Sequence, residues 1–257
     1  MRLGTGLSGL VVAGVLAGCG TLPPLRRQAD VGRDAYAVFV ADGPDGRGDL
    51  FAVRGDGGRL IQVTFTPVAE AAPALSPDGV LVAFLRGRGA ADTLPRDLWV
   101  LNLLSGAERE VTLPADVRPS RVAWSPDART LYLETSRGRW RAAAPPARPE
   151  PGPVPPAESA RADSALAVVL GEPAFARVEA CGAGQRGICA RTADGTTTVD
   201  SLGHSAARWG GDSVGYFIGD ALVVRPLGPG RTRGINFERH TPRRPRSRTD
   251  FAGVTRP

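Results

Sequence analysis

The chain has 257 residues, enough for one sizeable hydrophobic core. Its net charge is +6, and all 32 basic residues are arginine. Most of that charge lies in residues 239–257, where six arginines accompany one aspartate, so the rest of the chain is nearly neutral. A basic tail of this kind is expected in solvent or on anionic lipid, and we predict no nucleic-acid partner.

The first residues have the features of a secretory signal. Arg2 supplies a positive charge, an apolar stretch runs from Leu7 to Ala17, and small residues directly precede Cys19. A positive start, a short apolar region and a small-residue cleavage site are typical of exported proteins. The apolar stretch is shorter than the roughly 20 residues that span a bilayer. We therefore predict a cleaved signal peptide over residues 1–18 rather than a transmembrane helix.

The four residues Leu-Ala-Gly-Cys that end at Cys19 resemble the lipobox of bacterial lipoproteins. The resemblance implies that the Cys19 thiol is acylated and that cleavage then makes Cys19 the N-terminus. An acyl chain contributes about 0.8 kcal/mol per buried CH₂, so two or more chains would hold the protein on a membrane. By the same resemblance, Gly20 in place of an aspartate implies the outer membrane, facing the periplasm. The alternative is an ordinary signal peptide whose cysteine is incidental.

Short apolar runs separated by turn residues repeat along the chain. The best copies contain Ser76-Pro77-Asp78-Gly79 and Ser125-Pro126-Asp127, and two weaker copies have their turns near Glu172 and Asp212. The residue two before each turn is Leu75, Trp124, Val169 or Trp209, which gives intervals of 49 (124 − 75), 45 (169 − 124) and 40 (209 − 169). A period in the forties made of strands and turns predicts propeller blades.

The turn chemistry explains the recurring aspartates. Proline presets the backbone for a turn, aspartate bonds its own backbone, and glycine accepts the left-handed position. We therefore interpret Asp78, Asp127 and Asp212 as turn residues rather than as a ring of catalytic acids. Further strand patterns between the turns, such as those at 97–102 and 108–112, complete a unit of four antiparallel strands.

Two parts of the chain depart from the repeat. Residues 145–156 contain seven prolines in twelve positions and cannot form a central strand, so we expect an extended loop from the third unit. The first unit, which begins at Tyr36, lacks an inner strand. Our hypothesis is that residues 251–254 supply it from the C-terminus, and the alternative is a disordered tail.

The Ser-Pro-Asp-Gly unit resembles the WD40-like (PD40) repeat of the TolB propeller family over about residues 36–237. Related blades occur in prolyl oligopeptidase-like proteins. The resemblance implies an all-β fold, a TolB-like β-propeller, and the repeats in this chain predict about five four-stranded antiparallel blades. Residues 19–35 would then be a lipidated linker, and residues 238–257 an arginine-rich tail. Proteins of the TolB type have six blades and are soluble in the periplasm, so a shared role is an analogy.

Two cysteines remain if Cys19 carries lipid. Cys181 and Cys189 flank a Gly-rich segment that is typical of a hairpin loop. An even pair in an oxidising compartment predicts a disulfide. The alternative is a metal site, which lacks a nearby histidine.

The sequence contains no recognisable catalytic set. His204 and His240 are the only histidines, and neither a Gly-x-Ser-x-Gly elbow nor a phosphate-binding loop is present. We predict a non-catalytic module, without cofactor or metal, that binds or scaffolds an envelope protein, peptide or glycan. One alternative is a periplasmic hydrolase or lyase that uses the propeller channel, and another is a structural bridge from the membrane to peptidoglycan.

Overall fold

The computed structural model describes residues 25, 30–42, 46–89, 96–148, 150–167, 169–170, 176–182, 187–192, 195–209, 213–219, 221–226, 230–235 and 251–254. The predicted signal peptide, the lipidation site Cys19 and the turn residue Asp212 lie outside these residues. Within the described part of the chain, no helix has both the length and the apolar character needed to cross a bilayer.

The described residues form five four-stranded antiparallel sheets, which we number I to V. Sheet I has the spatial order β20 (Phe251–Val254), β1 (Tyr36–Asp42), β2 (Gly48–Arg54) and β3 (Ile61–Gln62). Sheet II contains β4 (Glu70–Leu75), β5 (Leu81–Gly87), β6 (Arg96–Asn102) and β7 (Glu108–Val111). Sheet III contains β8 (Pro119–Trp124), β9 (Thr130–Thr135), β10 (Gly138–Ala143) and β11 (Gly152–Pro153).

The last two sheets follow the same order. Sheet IV contains β12 (Val169–Leu170), β13 (Ala176–Ala180), β14 (Ile188–Thr192) and β15 (Gly195–Asp200). Sheet V contains β16 (His204–Trp209), β17 (Ser213–Ile218), β18 (Ala221–Pro226) and β19 (Arg233–Ile235). In sheets II to V the strands pair in chain order, so the predicted four-stranded antiparallel unit is confirmed.

The hydrophobic core lies between neighbouring sheets. Residues Tyr36–Ala41 of β1 are each at most 1% exposed, so this strand is buried on both faces. Phe39 packs edge-to-face on Phe217 of sheet V, with 5.2 Å between ring centroids. On the opposite face, Val38 belongs to the cluster that contains Phe84 of sheet II. A strand covered on both faces has a continuous apolar sequence instead of an alternating one, as Tyr-Ala-Val-Phe-Val-Ala does here.

The C-terminal strand β20 completes sheet I. It pairs antiparallel with β1, with Phe39 opposite Phe251 and Tyr36 opposite Val254. It also contacts β4 of sheet II and β16 of sheet V, which are the first strands of their own sheets. The structure therefore places residues 251–254 where the first sequence unit lacks an inner strand.

The proline-rich segment has more structure than the predicted loop. Gly152–Pro153 form β11 at the edge of sheet III, where the missing N–H of Pro153 is tolerated. A 3-10 turn at Pro156–Glu158 and the helix α1 (Ser159–Leu166) follow. No pattern in the sequence predicts α1, because eight residues are too few for a clear helical period. Ala162 and Leu166, four residues apart on one side of α1, pack with Tyr132 of β9.

The strand directions define two ends of the sheets. The turn face carries the β4–β5 turn at 76–80, the β8–β9 turn at 125–129 and the β6–β7 turn at 103–107. The connector face carries the β3–β4 connection at 63–69 and the β15–β16 connection at 201–203. Hydrogen bonds between neighbouring sheets fix the sheets relative to one another. The Tyr36 hydroxyl donates to the carbonyl of Gly79, and Trp124 Nε1 donates to the carbonyl of Ala74 at 2.8 Å.

Deleting residues 251–257 tests the role of β20. We expect the free energy of unfolding to fall by at least about 2 kcal/mol, because β1 loses its neighbour and its apolar surface becomes exposed. For a domain of this size that corresponds to a fall of roughly 4–8 °C in melting temperature. Deleting only residues 255–257 leaves β20 and serves as the control. Equal melting temperatures for the two truncations, measured by circular dichroism, would contradict the role assigned to β20.

Candidate functional site

The two Ser-Pro-Asp turns have the same hydrogen bonds. In the first, the Ser76 hydroxyl and the backbone N–H of Val80 donate to Asp78 Oδ1, and Leu81 N–H donates to Ser76 Oγ at 2.8 Å. In the second, Ser125 and Asp127 occupy the same places. The Ser125 hydroxyl and the Arg129 N–H lower the pKa of Asp127. Both carboxylates therefore accept bonds within their own turns, and Pro77 and Pro126 are exposed beside them.

The first of these turns also joins two sheets. Gly79 has a φ of +71°, a conformation that glycine adopts without steric cost. Its carbonyl accepts the hydrogen bond from the buried Tyr36 hydroxyl of sheet I. Burial and the nearby Asp78 raise the pKa of Tyr36, so the phenol stays protonated and keeps donating. The repeat motif thus connects neighbouring sheets.

The two cysteines lie at the connector face of sheet IV. The structure joins Cys181, just after β13, to Cys189 of β14 in a disulfide with 5.8 Å between the Cα atoms. The Cys181 N–H donates to the carbonyl of Gly187 at 3.1 Å, which closes the same hairpin. The pairing agrees with the sequence prediction of a disulfide.

A buried ionic cluster lies at the interface of sheets I and II. The Glu70 side chain is fully buried, and Arg86 Nη2 lies 2.8 Å from its Oε1. Arg86 Nη1 lies 2.6 Å from Oε2 of Glu108, so one guanidinium bridges two carboxylates. The guanidinium also lies 4.7 Å from the ring centroid of Trp99 and 5.0 Å from that of Phe84. No pattern in the sequence predicts this cluster, because its members come from four strands that only the fold brings together.

Burial raises the pKa of Glu70 to about 6, although Arg86 and the Thr64 hydroxyl act in the opposite direction. The carboxylate loses water around it but gains charged and hydroxyl donors. Thr64 donates to Glu70 Oε2, and the Leu50 N–H donates to Thr64 Oγ1 at 2.8 Å. The cluster therefore reaches from the buried charges into the β3–β4 connection.

That connection presents an exposed phenylalanine. Phe65 is 68% exposed, yet both neighbours in the chain are fixed by hydrogen bonds. Thr64 is held by Glu70, while the Thr66 hydroxyl donates to the carbonyl of Val68 at 3.0 Å. Since the backbone is fixed on both sides of Phe65, the ring is held in a defined position at the connector face.

Polar groups contact the same connection just after Phe65. Arg47 Nη1 donates to the carbonyl of Pro67 at 2.8 Å, and the Gly87 N–H donates to the carbonyl of Ala69 at 2.8 Å. Arg88 follows Gly87 and forms a 2.6 Å ion pair with Asp97. An exposed aromatic ring on a connection that an arginine also contacts fits the composition that protein interfaces favour. We define this candidate interaction surface by Phe65, Arg47, Pro67 and Arg88.

Two other large apolar side chains are exposed in the described part of the chain. Leu202 is 69% exposed on the connector face between sheets IV and V, and Leu104 is 40% exposed on the turn face. His204 packs on Phe217, with 6.0 Å between the ring centroids. Among the described residues, no group of three or more His, Cys, Asp or Glu side chains is arranged to hold a metal ion.

No protein-family model and no curated protein matches the chain. Solved structures do match. TolB from Acinetobacter baumannii shares 12% identity over 78% of this chain and 52% of that chain, with a TM-score of 0.41. A putative TolB from Agrobacterium tumefaciens shares 16% identity over 78% of this chain and 60% of that chain, with a TM-score of 0.39. The chain therefore spans between half and three fifths of the length of these TolB structures.

A chain in the nidogen/laminin complex is similar over nearly the whole of both molecules. It shares 10% identity over 85% of this chain and 97% of that chain, with a TM-score of 0.54. At this identity the likeness concerns the fold alone. Together with the antiparallel sheets it supports a propeller-like arrangement.

Glu70→Gln tests the buried cluster. Because the folded-state pKa near 6 lies above the ordinary 4.5, the folded protein holds this proton more tightly than the unfolded chain. The stabilisation that comes from the bound proton is fully present below pH 4.5. As the pH rises through 6, the free energy of unfolding falls by about 2 kcal/mol. Glu70→Gln removes this titration, so its stability should change less between pH 4 and 6.5 in urea denaturation.

Glu134→Gln is the matched control, because Glu134 is exposed and pairs with Arg121 at 3.8 Å. It should keep the pH dependence of the wild-type protein. A Glu70→Gln protein with the wild-type slope over this pH range would show that the Glu70 carboxyl is not the group with the raised pKa.

Proposed function

We propose that this protein is a lipid-anchored β-propeller of the cell envelope that binds a protein partner through its connector face and catalyses no reaction. The observation that carries the proposal is Phe65, an exposed aromatic ring on a backbone fixed by a buried polar cluster. A solvent-exposed phenylalanine contributes nothing to the core, while a pre-ordered aromatic contact loses little entropy on binding.

The five sheets form a closed ring in this proposal. Support comes from contacts between the first strands of neighbouring sheets: β20 with β4 and β16, and β4 with β8. Sheet IV contacts sheet V through β13 and β16. Apolar clusters fill the interfaces of sheets I and II, II and III, IV and V, and V and I. A ring closed by a C-terminal strand has no open sheet edge at its centre.

The envelope location rests on the N-terminal sequence and on the cysteine chemistry. The lipobox at residues 16–19 supports acylation of Cys19, with residues 1–18 removed. The Cys181–Cys189 disulfide fits an oxidising compartment such as the periplasm. Gly20 favours the outer membrane as the anchoring site. In this position the propeller would scaffold or recruit an envelope protein.

Mass spectrometry of the mature protein from membranes of a Gram-negative host tests the anchor. We expect a chain that begins at Cys19 and carries a diacylglyceryl group, since residues 16–19 match the lipobox. Cys19→Ala should move the protein from the membrane to the soluble fraction. A soluble wild-type protein with an unmodified Cys19 thiol would contradict the anchor.

Phe65→Ala tests the interaction surface. A photo-reactive amino acid at position 65 should cross-link the partner in intact cells, and Phe65→Ala should weaken binding of that partner at least tenfold, or about 1.4 kcal/mol. Because the side chain is exposed, the melting temperature should stay within about 2 °C of wild type. Leu104→Ala, which removes an exposed apolar side chain from the turn face, is the control and should keep wild-type affinity. Unchanged affinity of the Phe65→Ala protein for the partner would contradict a role for Phe65 in the interface.

A further inference from the structure

The segment before β1 does not leave the sheets as a free linker. The N–H groups of Arg33 and Asp34 both donate to the carbonyl of Asp30, at 2.9 and 2.8 Å, so the segment turns back. Val31 is buried in the cluster between sheets I and II. Leu25 is 1% exposed in that same cluster. Part of the predicted linker at 19–35 is therefore packed against the sheets.

This packed segment crosses the turn face. A Cβ atom at Gly32 would lie 3.5 Å from Val80 Cγ2 and 3.6 Å from the carbonyl oxygen of Asp78. Four residues later, the Tyr36 hydroxyl donates to Gly79 of the same turn. The N-terminal segment thus enters the fold beside the turn at 76–80, at the end of the sheets opposite Phe65.

The covalent distance from this segment to the lipidation site is short. Six peptide steps separate Cys19 from Leu25, and at no more than about 3.6 Å each they span at most roughly 22 Å. The seven-residue strand β1 rises by roughly 20 Å from the turn face to the connector face. A lipid on Cys19 is therefore tied within roughly 22 Å of Leu25, in the segment that reaches the turn face at Gly32.

An exposed leucine lies beside the point where the N-terminal segment enters. The N–H of Leu103 donates to the carbonyl of Val80 at 2.9 Å, and Leu103 belongs to the same cluster as Leu25. The next residue, Leu104, is 40% exposed. The Leu104 N–H donates to Asn102 Oδ1 at 2.9 Å, so the turn that carries Leu104 is fixed. An apolar side chain next to a lipid anchor is suited to the membrane interface.

We propose that the turn face lies against the bilayer and that Leu104 enters its interface, so that the connector face with Phe65 points away from the membrane. This inference rests on the proposed acylation of Cys19. It assigns the two faces to two partners of different chemistry. The turn face takes a lipid surface, and the connector face stays open to proteins in the periplasm.

Fluorescence quenching in vesicles measures this orientation. The full-length lipidated protein carries one fluorophore, attached at Ala107→Cys on the turn face or at Leu202→Cys on the connector face, with the native disulfide left oxidised. It is reconstituted into phosphatidylcholine vesicles that contain lipids with spin-labelled headgroups. We expect quenching at position 107 to exceed quenching at position 202 at least threefold. Equal quenching, or stronger quenching at 202, would overturn the orientation.

Vesicles that contain anionic lipid test whether attraction between arginines and lipid reverses this orientation. Residues 239–250, which connect β19 to β20 outside the described residues, contain five arginines and would draw the opposite end of the sheets towards anionic lipid. We expect the threefold difference to persist when phosphatidylglycerol is added. Its reversal would overturn the proposal for anionic membranes.

Two controls separate the effect of the tether length from the presence of the lipid anchor. Inserting twenty Gly and Ser residues after Thr21 should reduce the difference in quenching, since the longer tether no longer limits the orientation. A difference that stays unchanged would overturn tether length as its cause. The mass of the Cys19 peptide is measured first. Without lipid, the proposed anchor fails and the inference fails with it, whereas equal quenching of a lipidated protein overturns the orientation alone.

Discussion

The burial of β1 on both faces is the constraint on which the rest of the structure depends. One face of this strand packs with sheet II and the other with sheet V, so neither neighbouring interface can form without it. Such a strand also needs hydrogen-bonding partners on both edges, because an apolar open edge would invite pairing with other chains. β2 supplies one partner and β20, from the far end of the chain, supplies the other. The two ends of the sequence are thereby tied into one sheet.

The ionic cluster of Glu70, Arg86 and Glu108 links this packing to the surface. A buried ion pair adds little net stability, since the desolvation of both charges offsets most of their attraction. It is more demanding in geometry than apolar packing, because a displaced partner leaves an unpaired buried charge. Here the cluster fixes Thr64, and Thr64 fixes the backbone before Phe65. The buried charges therefore have a consequence outside the core, which is an aromatic side chain held in solvent.

The two ends of the sheets differ in the same physical terms. On the turn face, Asp78 and Asp127 accept hydrogen bonds within their own turns, and the packed N-terminal segment lies against Val80 and the backbone of Asp78. On the connector face, the connections carry exposed apolar groups, notably Phe65 and Leu202. A tether attached near one end and an interaction surface at the other would give the molecule a direction in the envelope.

The sequence by itself determined most of the strands, the Ser-Pro-Asp turns and the four-stranded unit, because short apolar runs and turn residues depend on neighbouring residues only. It also predicted the Cys181–Cys189 pair, and it left residues 251–254 as either an inner strand or a disordered tail. It did not show α1, which is too short for a helical period, or the Glu70–Arg86 cluster. Only the tertiary structure decided which charges meet and which phenylalanine stays exposed. The charges come from three strands of sheet II that are far apart in the chain, and Phe65 lies in the connection between two sheets, so neither outcome leaves a local pattern in the sequence.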